Sequence, residues 1–588
     1  MKPSHIIGID LGTTNCALAH ADTRAPEAPV QQFAIPQLAK PGEVREEPLL
    51  PSCLFLHGEA DFSPGSIALP WDAEPTFVTG LLAKSRGAEV PHRLVMSAKS
   101  WLSHSGVDRT EAILPITADE GGRRVSPVEA SRRYLEHLRQ AWDHTNPDTP
   151  FHQQQVLVTV PASFDAVARE LTQRAAEQAG LRDAILLEEP QAAFYSWIER
   201  HPDWRDRVRA GDLILVVDVG GGTTDFTLIS VTDIGGELAL DRMAVGEHIL
   251  LGGDNMDLAL ARFVEQQLAE SGKKLDAFQV NALWQNCRLA KEKMFAEGET
   301  AKSQPVTILG RGTGLIGGSI KAKLDRVDME RIVLDGFFPE VSSHDMPTKQ
   351  RRAGMFEIGL PYADDAAVTR HLARFLRQQG KFAAPTRVLF NGGVFRAPRV
   401  AQRVLAVLNS WLKDEGAPPA VALDGADLMH AVSRGAAYYG LARAGKGVRI
   451  RGGIARTYYI GVQAALPAVP GMRPPLRALT VAQFGMEEGT RLQPTKREFG
   501  LLTGEPADFR FFASVERKDD EPGLMVDDAA LLEELAPIEV TLTGDEGVVV
   551  PVTIETEITD TGQLQLWCVA RDTRRWKLEF NVRERIAG

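Results

Sequence analysis

Two stretches of this chain share one pattern: a strand-length apolar run, an aspartate, a turn of glycine and threonine, and a return to apolar residues. They are IIGIDLGTTN, Ile6 to Asn15, and ILVVDVGGGTTDFTLI, Ile214 to Ile229. Apolar, β-branched runs on either side of a glycine cluster predict a β-hairpin in each case. The recurrence of strand, Asp, Gly and Thr in the same order predicts an internally duplicated fold with one loop from each half. Gly220, Gly221 and Gly222 leave the backbone without Cβ atoms, so its N–H groups can close around phosphoryl oxygens. Gly12, Thr13 and Thr14 repeat that arrangement. Asp218, at the end of its strand, and Asp225, just past the tip, stand where a hydrated Mg2+ would need carboxylates, and Asp10 has the matching place in the first hairpin.

The periodicity of the remaining chain supplies the frame. Residues 21–92 predict irregular connections and short strands, with an apolar piece at Leu54 to Leu56. MSAKSWLSH then places Lys99 on a short apolar helical segment. Ser126, Pro127 and Glu129 form the start of a helix to about Trp142, with the pattern of a capping box. Val156 to Phe164 is a buried strand leading to a helix over Ala166 to Ala179, closed by Gly180. The strand Ile185 to Leu187 delivers Glu188 and Glu189 ahead of a helix starting near Gln191. Either glutamate belongs to the open edge where α/β folds bind ligands, or is an exposed loop charge. Gly252 and Gly253 mark a turn, with Asp254 as the N-cap of an amphipathic helix. A second helix puts Arg288, Lys291 and Phe295 on neighbouring turns. Lys323 to Val341 and Ala366 to Gln379 have helical spacing. Arg387 to Val400 is a strand followed by Gly392 and Gly393, with Arg396 in the first turn of the next helix. The last helix, about Leu428 to Arg443, carries Gly435, Ala436 and Ala437 against a close neighbour.

Helical periodicity stops at Ala444 to Gly453, a composition break that reads as an interdomain linker. Beyond it, Tyr458 to Val462, Thr480 to Phe484, Phe509 to Val515, Ile538 to Leu542, Val548 to Glu557, Leu564 to Ala570 and Trp576 to Val582 read as strands of an all-β sandwich. An acidic strip, Asp519, Asp520, Glu521, Asp527, Asp528, Glu533 and Glu534, reads as solvated loops.

Composition changes this picture mainly by exclusion. The 588 residues exceed one ordinary core. A net charge of −12 argues against a nucleic-acid partner. Apolar runs are strand-length, which argues against a membrane span. The chain enters a strand within MKPSHIIGID, leaving no room for a signal peptide. Cys16, Cys53, Cys287 and Cys568 are scattered, which suits a reducing cytoplasm and no zinc site.

Collected in order, the motifs resemble those of the seventy-kilodalton heat-shock chaperone family, of the DnaK type, within the actin-like ATPase superfamily. IDLGTT resembles the family's first phosphate loop, SAKSWL the segment of the catalytic lysine, and VTVPASFD the strand before the connecting helix. LEEPQAA resembles the family's NEPTAA and selects Glu189 as its glutamate. VVDVGGGTTDF resembles the second phosphate loop, LGGDNMD the loop after it, FNGGVFRAPRV the adenosine-binding turn, and RLQPTKREFG and ITDTGQLQLWCVARD parts of the β domain.

The resemblance implies an α/β actin-like, duplicated ribonuclease H-like ATPase domain over 1–445, a linker over 446–455 and a β-sandwich substrate-binding-like domain over 456–588 without the family's helical lid. It implies Lys99, Glu189, Asp10, Asp218 and Thr223 at the reacting end, with Asp10 and Asp218 reaching Mg2+ through water. Gly12, Thr13, Thr14, Gly220, Gly221, Gly222, Gly252, Gly253, Lys291, Gly392, Gly393 and Arg396 would hold the rest of ATP or ADP; K+ is left open. Where the family has a serine after the glycine pair this chain has Val394, and Arg288, Phe295 and Met429 also depart from its pattern. Arg449 and Arg451 stand where the family's linker has leucines. The expected activity is ATP hydrolysis by a cytoplasmic chaperone that binds unfolded or extended polypeptides, served by a co-chaperone and a nucleotide-exchange factor. The alternatives are a nucleotide-dependent scaffold with slow or no ATPase that binds one dedicated partner, and a sugar kinase on the same fold.

Overall fold

The computed structural model describes the chain except residues 1–2, 26–27, 59, 105, 119–120, 235–236, 297, 309–318, 349–359, 361, 380–381, 447–453, 455, 464–475, 487–488, 505, 536–537, 542–546, 559–563, 573 and 579–588. The linker arginines Arg449 and Arg451 lie outside the described residues.

The two apolar–Asp–Gly–Thr hairpins sit at equivalent places in two sheets. In the first, β1 (His5–Leu11) pairs antiparallel with β2 (Asn15–Asp22), which pairs with β3 (Gln31–Gln32). The other edge of β1 lies parallel to β4 (Gln155–Val160), followed by β5 (Ile185–Glu188). In the second, β6 (Leu213–Val219) pairs antiparallel with β7 (Thr224–Ile234) and then β8 (Glu237–Val245). Its other edge lies parallel to β9 (Arg387–Asn391), then β10 (Val421–Ala422). The strand orders β3-β2-β1-β4-β5 and β8-β7-β6-β9-β10 are the same, so the duplication read from the hairpins extends to whole sheets. β1 and β6 are apolar and buried through most of their length because the sheets are covered on both faces.

Helices set the sheet edges against each other. α1 (Gly80–Glu89) and α2 (Ala98–Leu102) precede β4, and α3 (Ala166–Gln178) follows it; α4 (Glu189–Arg200) starts directly after β5. α5 (Gly253–Glu270) and α6 (Ala277–Phe295) follow β8, and α7 (Ala431–Arg443) packs against both β1 and α4. The small residues of α7 do have a close neighbour: a Cβ on Gly435 would lie 1.7 Å from the Ala192 carbonyl oxygen of α4, and one on Gly8 of β1 would lie 2.3 Å from the Ser433 carbonyl.

From Thr457 onward, two five-stranded sheets follow. One is ordered Met525–Val526, Leu476–Ala482, Thr457–Gln463, Phe511–Ser514 and Glu533–Glu534. The other runs Arg491–Leu492, Val548–Ile558, Leu564–Ala570 and Arg575–Leu578, with Phe499–Thr503 also on Val548–Ile558. Thr556 Oγ1 donates to the Val481 carbonyl at 2.8 Å between them. Tyr458, Leu479, Val552 and Leu566 belong to one apolar cluster with Val158 and Phe164, so the β strands share a core with the first lobe.

Several local expectations change. Residues 21–92 contain α1, missed because its sequence carries Gly80 and Gly87; burial of Leu82, Ala83 and Gly87 outweighs poor propensity. Lys323 to Val341 is not one helix. Ile320–Asp325 is a strand paired with Ser303–Ile308, and the helical part starts at Arg326, with a π-turn over Arg331–Asp335. The helix at Pro127–Thr145 is capped by Ser126, which accepts from the Glu129 N–H at 3.0 Å, but the Glu129 carboxylate turns to Arg132 and Arg133. Gly393–Arg396 is a 3-10 turn, and the next helix begins at Pro398. The acidic strip is largely paired rather than merely solvated: Asp520 with Arg517, Asp527 with Arg477, Glu533 with Arg456 and Glu534 with Arg510.

Candidate active site

The tips of the two hairpins meet. A Cβ on Gly221 would stand 2.0 Å from Thr14 Oγ1, and one on Gly222 would stand 2.9 Å from Thr13 Cγ2. These glycines therefore serve loop-to-loop approach, while Gly220 has nothing nearer than 3.7 Å and keeps a bare face. The start of α5 braces the second tip: Gly253 N–H donates to the Gly220 carbonyl at 3.0 Å and Asp254 N–H to that of Gly221 at 2.8 Å. Gly252, not Asp254, is the N-cap, and the Asn255 side chain accepts from its N–H at 2.9 Å.

One deep cleft runs between the lobes. Asp10, Gly12, Thr13, Thr14, Lys99, Glu189, Asp218, Gly220, Gly221, Thr223, Gly253, Lys291, Gly392, Gly393 and Arg396 all line it. Of the residues expected at the site, Gly222 and Gly252 do not: the first faces Thr13, and the second is pressed against the carbonyls of Gly220 and Gly221. Asp225 is also turned away. It is buried and accepts from the Ser163 hydroxyl, whose oxygen lies 2.8 Å from His248 Nδ1.

At the inner end of the cleft, Lys99 of α2 forms an ion pair with Glu189, the first residue of α4. Lys99 is buried and Glu189 partly exposed, at 7% and 14% side-chain exposure. Burial opposes the Lys99 charge, but Glu189 and Asp10 outweigh it and hold the ammonium above its ordinary pKa. The carboxylates show the opposite balance. Burial pushes Asp10 up to about 7, opposed by Lys99 and helped by Glu189. Burial and the Glu189 charge push Asp218 up to about 8, although Asn391 Nδ2 donates to its Oδ2 at 2.8 Å.

Glu189 and Asp10 thus share the Lys99 ammonium, while Asp218 has Asn391 as its donor. Among the described residues, no group of three or more His, Cys, Asp or Glu side chains could hold a metal ion. The arrangement fits a hydrated ion that keeps most of its waters. Thr14 Oγ1, buried and without a partner in the described structure, adds an unspent polar atom at the loop tip.

Farther out, Lys291 pairs with Asp257 at 2.7 Å and donates to the Gly253 carbonyl at 3.3 Å. Arg288 lies 3.7 Å from Asp254 and 3.1 Å from Glu292. Gly392, at φ +90°, has the Val219 carbonyl 2.3 Å from where a Cβ would stand, so only glycine lets β9 turn into the cleft there. Sequence reasoning missed Asn391, which reads as a turn residue before two glycines. It also missed Ser163 and His248, distant in sequence from the aspartate they hold.

Comparison with known proteins agrees with this geometry. Residues 83–340 match the family model described as Hsp70 protein. A chaperone protein HscA homolog of Cupriavidus necator is 29% identical over 306 residues, 50% of this chain and 42% of that protein. One from Pseudoalteromonas atlantica is 30% identical over 278 residues, 45% of this chain and 38% of that protein. One from Acidithiobacillus ferrooxidans is 30% identical over 306 residues, 50% of this chain and 42% of that protein. The matched stretch thus spans less than half the length of each relative. Residues 83–340 are thus similar to the Hsp70 family, and the duplicated sheets and the order of the loops agree with that similarity.

Proposed function

We propose that this chain binds Mg-ATP in the cleft, hydrolyses it to ADP and phosphate, and acts as a chaperone-like protein whose β domain takes extended polypeptide segments. The observation that carries the reading is the Lys99–Glu189 pair between two loops that each bring an aspartate. In hydrolysis a water oxygen attacks the γ-phosphorus in line as the bond to the bridging oxygen breaks and ADP leaves. This chemistry needs positioning and charge stabilisation rather than a covalent nucleophile. Glu189 and Lys99 orient the water, and the Lys99 ammonium faces the charge that develops. Backbone N–H groups of the two loops, with Thr13, Thr14 and Thr223, hold the β- and γ-phosphoryl oxygens. Asp10 and Asp218 would hold Mg2+ through water, and the ion would supply neutralisation of charge on the phosphoryl oxygens. Asn391 keeps the Asp218 carboxylate oriented.

The similar proteins are named as chaperones, which supports the chaperone part; extended polypeptides as clients, and a co-chaperone and exchange factor as further partners, belong to this proposal. The four cysteines are unpaired and buried, which supports a reducing compartment such as the cytoplasm. Among the described residues, no helix is long and apolar enough to cross a membrane.

A second reading, a nucleotide-dependent scaffold with one dedicated partner, is favoured by the core that the β strands share with the first lobe. Fluorescence binding of unrelated extended peptides, with and without ATP, separates the two. Binding of several peptides that changes with ATP supports the chaperone reading; binding of none of them supports the scaffold.

A further inference from the structure

The end of the cleft away from Lys99 has a chemistry of its own. Phe295 follows Lys291 by one turn of α6, lines the cleft and is 7% exposed. Val394 and Met429 flank the bare backbone of Gly253 and Gly393. A Cβ on Gly253 would stand 3.3 Å from a Val394 methyl, and one on Gly393 would stand 3.8 Å from the Met429 sulfur. Val333 and Val400, both buried, also line this end.

The polar side chains beside it are committed elsewhere. Lys291 is held by Asp257 and the Gly253 carbonyl, and Glu292 pairs with Arg288 through one oxygen and is 45% exposed, so water competes for its other oxygen. Arg396, exposed at the rim, remains, and a guanidinium can donate hydrogen bonds but not accept them.

Such a slot holds a flat heteroaromatic base by contact and stacking. Adenine and guanine offer the same two-ring face and differ at C6 and C2. Strong discrimination between them needs a buried, oriented polar group that one base satisfies and the other leaves unpaired; apolar pockets separate near-isosteres weakly. Among the apolar side chains here only the Met429 sulfur can accept from the adenine amino group, and weakly, whereas Arg396 can donate to the guanine oxygen.

We propose that this cleft accepts adenine and guanine nucleotides alike, with Phe295 as the residue that holds the base. The inference rests on the nucleotide reading above and deepens it. Titration calorimetry of the full chain with Mg2+ and ATP, GTP or CTP tests it. The affinities for ATP and GTP should agree within about fivefold, and CTP, with one ring, should bind about tenfold more weakly. Phe295→Ala should weaken both purine nucleotides by about tenfold and in parallel. Met429→Gln, which introduces a polar group at the base end, should separate ATP from GTP by about tenfold or more.

A wild-type preference for ATP over GTP of about a hundredfold or more would overturn the proposal, since apolar contact cannot supply it. So would a folded Phe295→Ala variant with both affinities unchanged. Binding of ATP alone would remove this inference and leave the nucleotide reading standing; binding of none of the three would remove both.

Discussion

Gly220 and Gly221 are neighbours with different duties. An alanine at 221 meets Thr14 Oγ1 at 2.0 Å, whereas one at 220 meets only ordinary contacts. Gly221→Ala should therefore lower the stability of the nucleotide-free protein by about 1–3 kcal/mol, the usual cost of overpacking. Gly220→Ala should change it by less than about 0.5 kcal/mol while weakening nucleotide binding. Thermal unfolding with and without Mg-ATP checks both, and equal unfolding of the two ligand-free variants would contradict the assignment. At this scale the site is largely legible in the sequence. Asp10, Lys99, Glu189 and Asp218 sit in local motifs whose residue types match one chemistry. Asn391, Ser163 and His248 are not legible, because each acts on an aspartate more than twenty residues away and no local pattern marks it.

The segment Pro161 to Asp165, between β4 and α3, touches both the site and the β domain. The Ser163 hydroxyl donates to Asp225, whose charge reaches Lys99, while the Ser163 carbonyl lies 3.4 Å from Arg456 Nη2. Arg456, beside the first strand of the β domain, is 7% exposed and pairs with Glu533 at 2.6 Å. Arg169 and Glu188 form a further buried pair at 2.7 Å, and their charges reach Tyr458. Removing Glu533 leaves a buried guanidinium without its ion-pair partner, whereas Arg456→Met keeps the stem and removes the charge. Glu533→Ala should therefore be the more destabilising change, by about 1–3 kcal/mol in urea unfolding, and the reverse order would refute the burial argument. Amide exchange in 161–165 should rise in both variants. The sheets were predictable as elements because runs such as Leu213–Val219 are apolar throughout, but the contact between the lobes was not. It depends on tertiary burial of Arg456 and Tyr458, residues whose types read as surface or strand alike.

At the scale of the whole molecule, a buried histidine contributes to the response to acid. His137 lies under Thr79, Nδ1 to Oγ1 at 2.9 Å, with Nε2 2.9 Å from the Pro36 carbonyl, and burial lowers its pKa to about 4. The unfolded imidazole takes its proton near its ordinary 6.5, so acid favours the unfolded chain. Stability from this group is present above pH 6.5 and is lost as the pH falls towards 4. By pH 5 the loss is about 2 kcal/mol. His137→Gln should remove that part of the acid sensitivity between pH 7 and 5, measured by urea unfolding at each pH. The raised carboxylates Asp10 and Asp218 work in the other direction, binding protons in the folded state that the unfolded chain releases, so the comparison with the variant isolates the histidine.

The central claim concerns Lys99 and Glu189, and single-turnover hydrolysis of ATP by the full chain tests it most directly. Wild-type protein should convert bound ATP to ADP and phosphate. Lys99→Ala should bind ATP but hydrolyse it about a hundredfold or more slowly, the usual loss when a group that stabilises developing charge is removed. Equal rates in the two proteins would contradict the account.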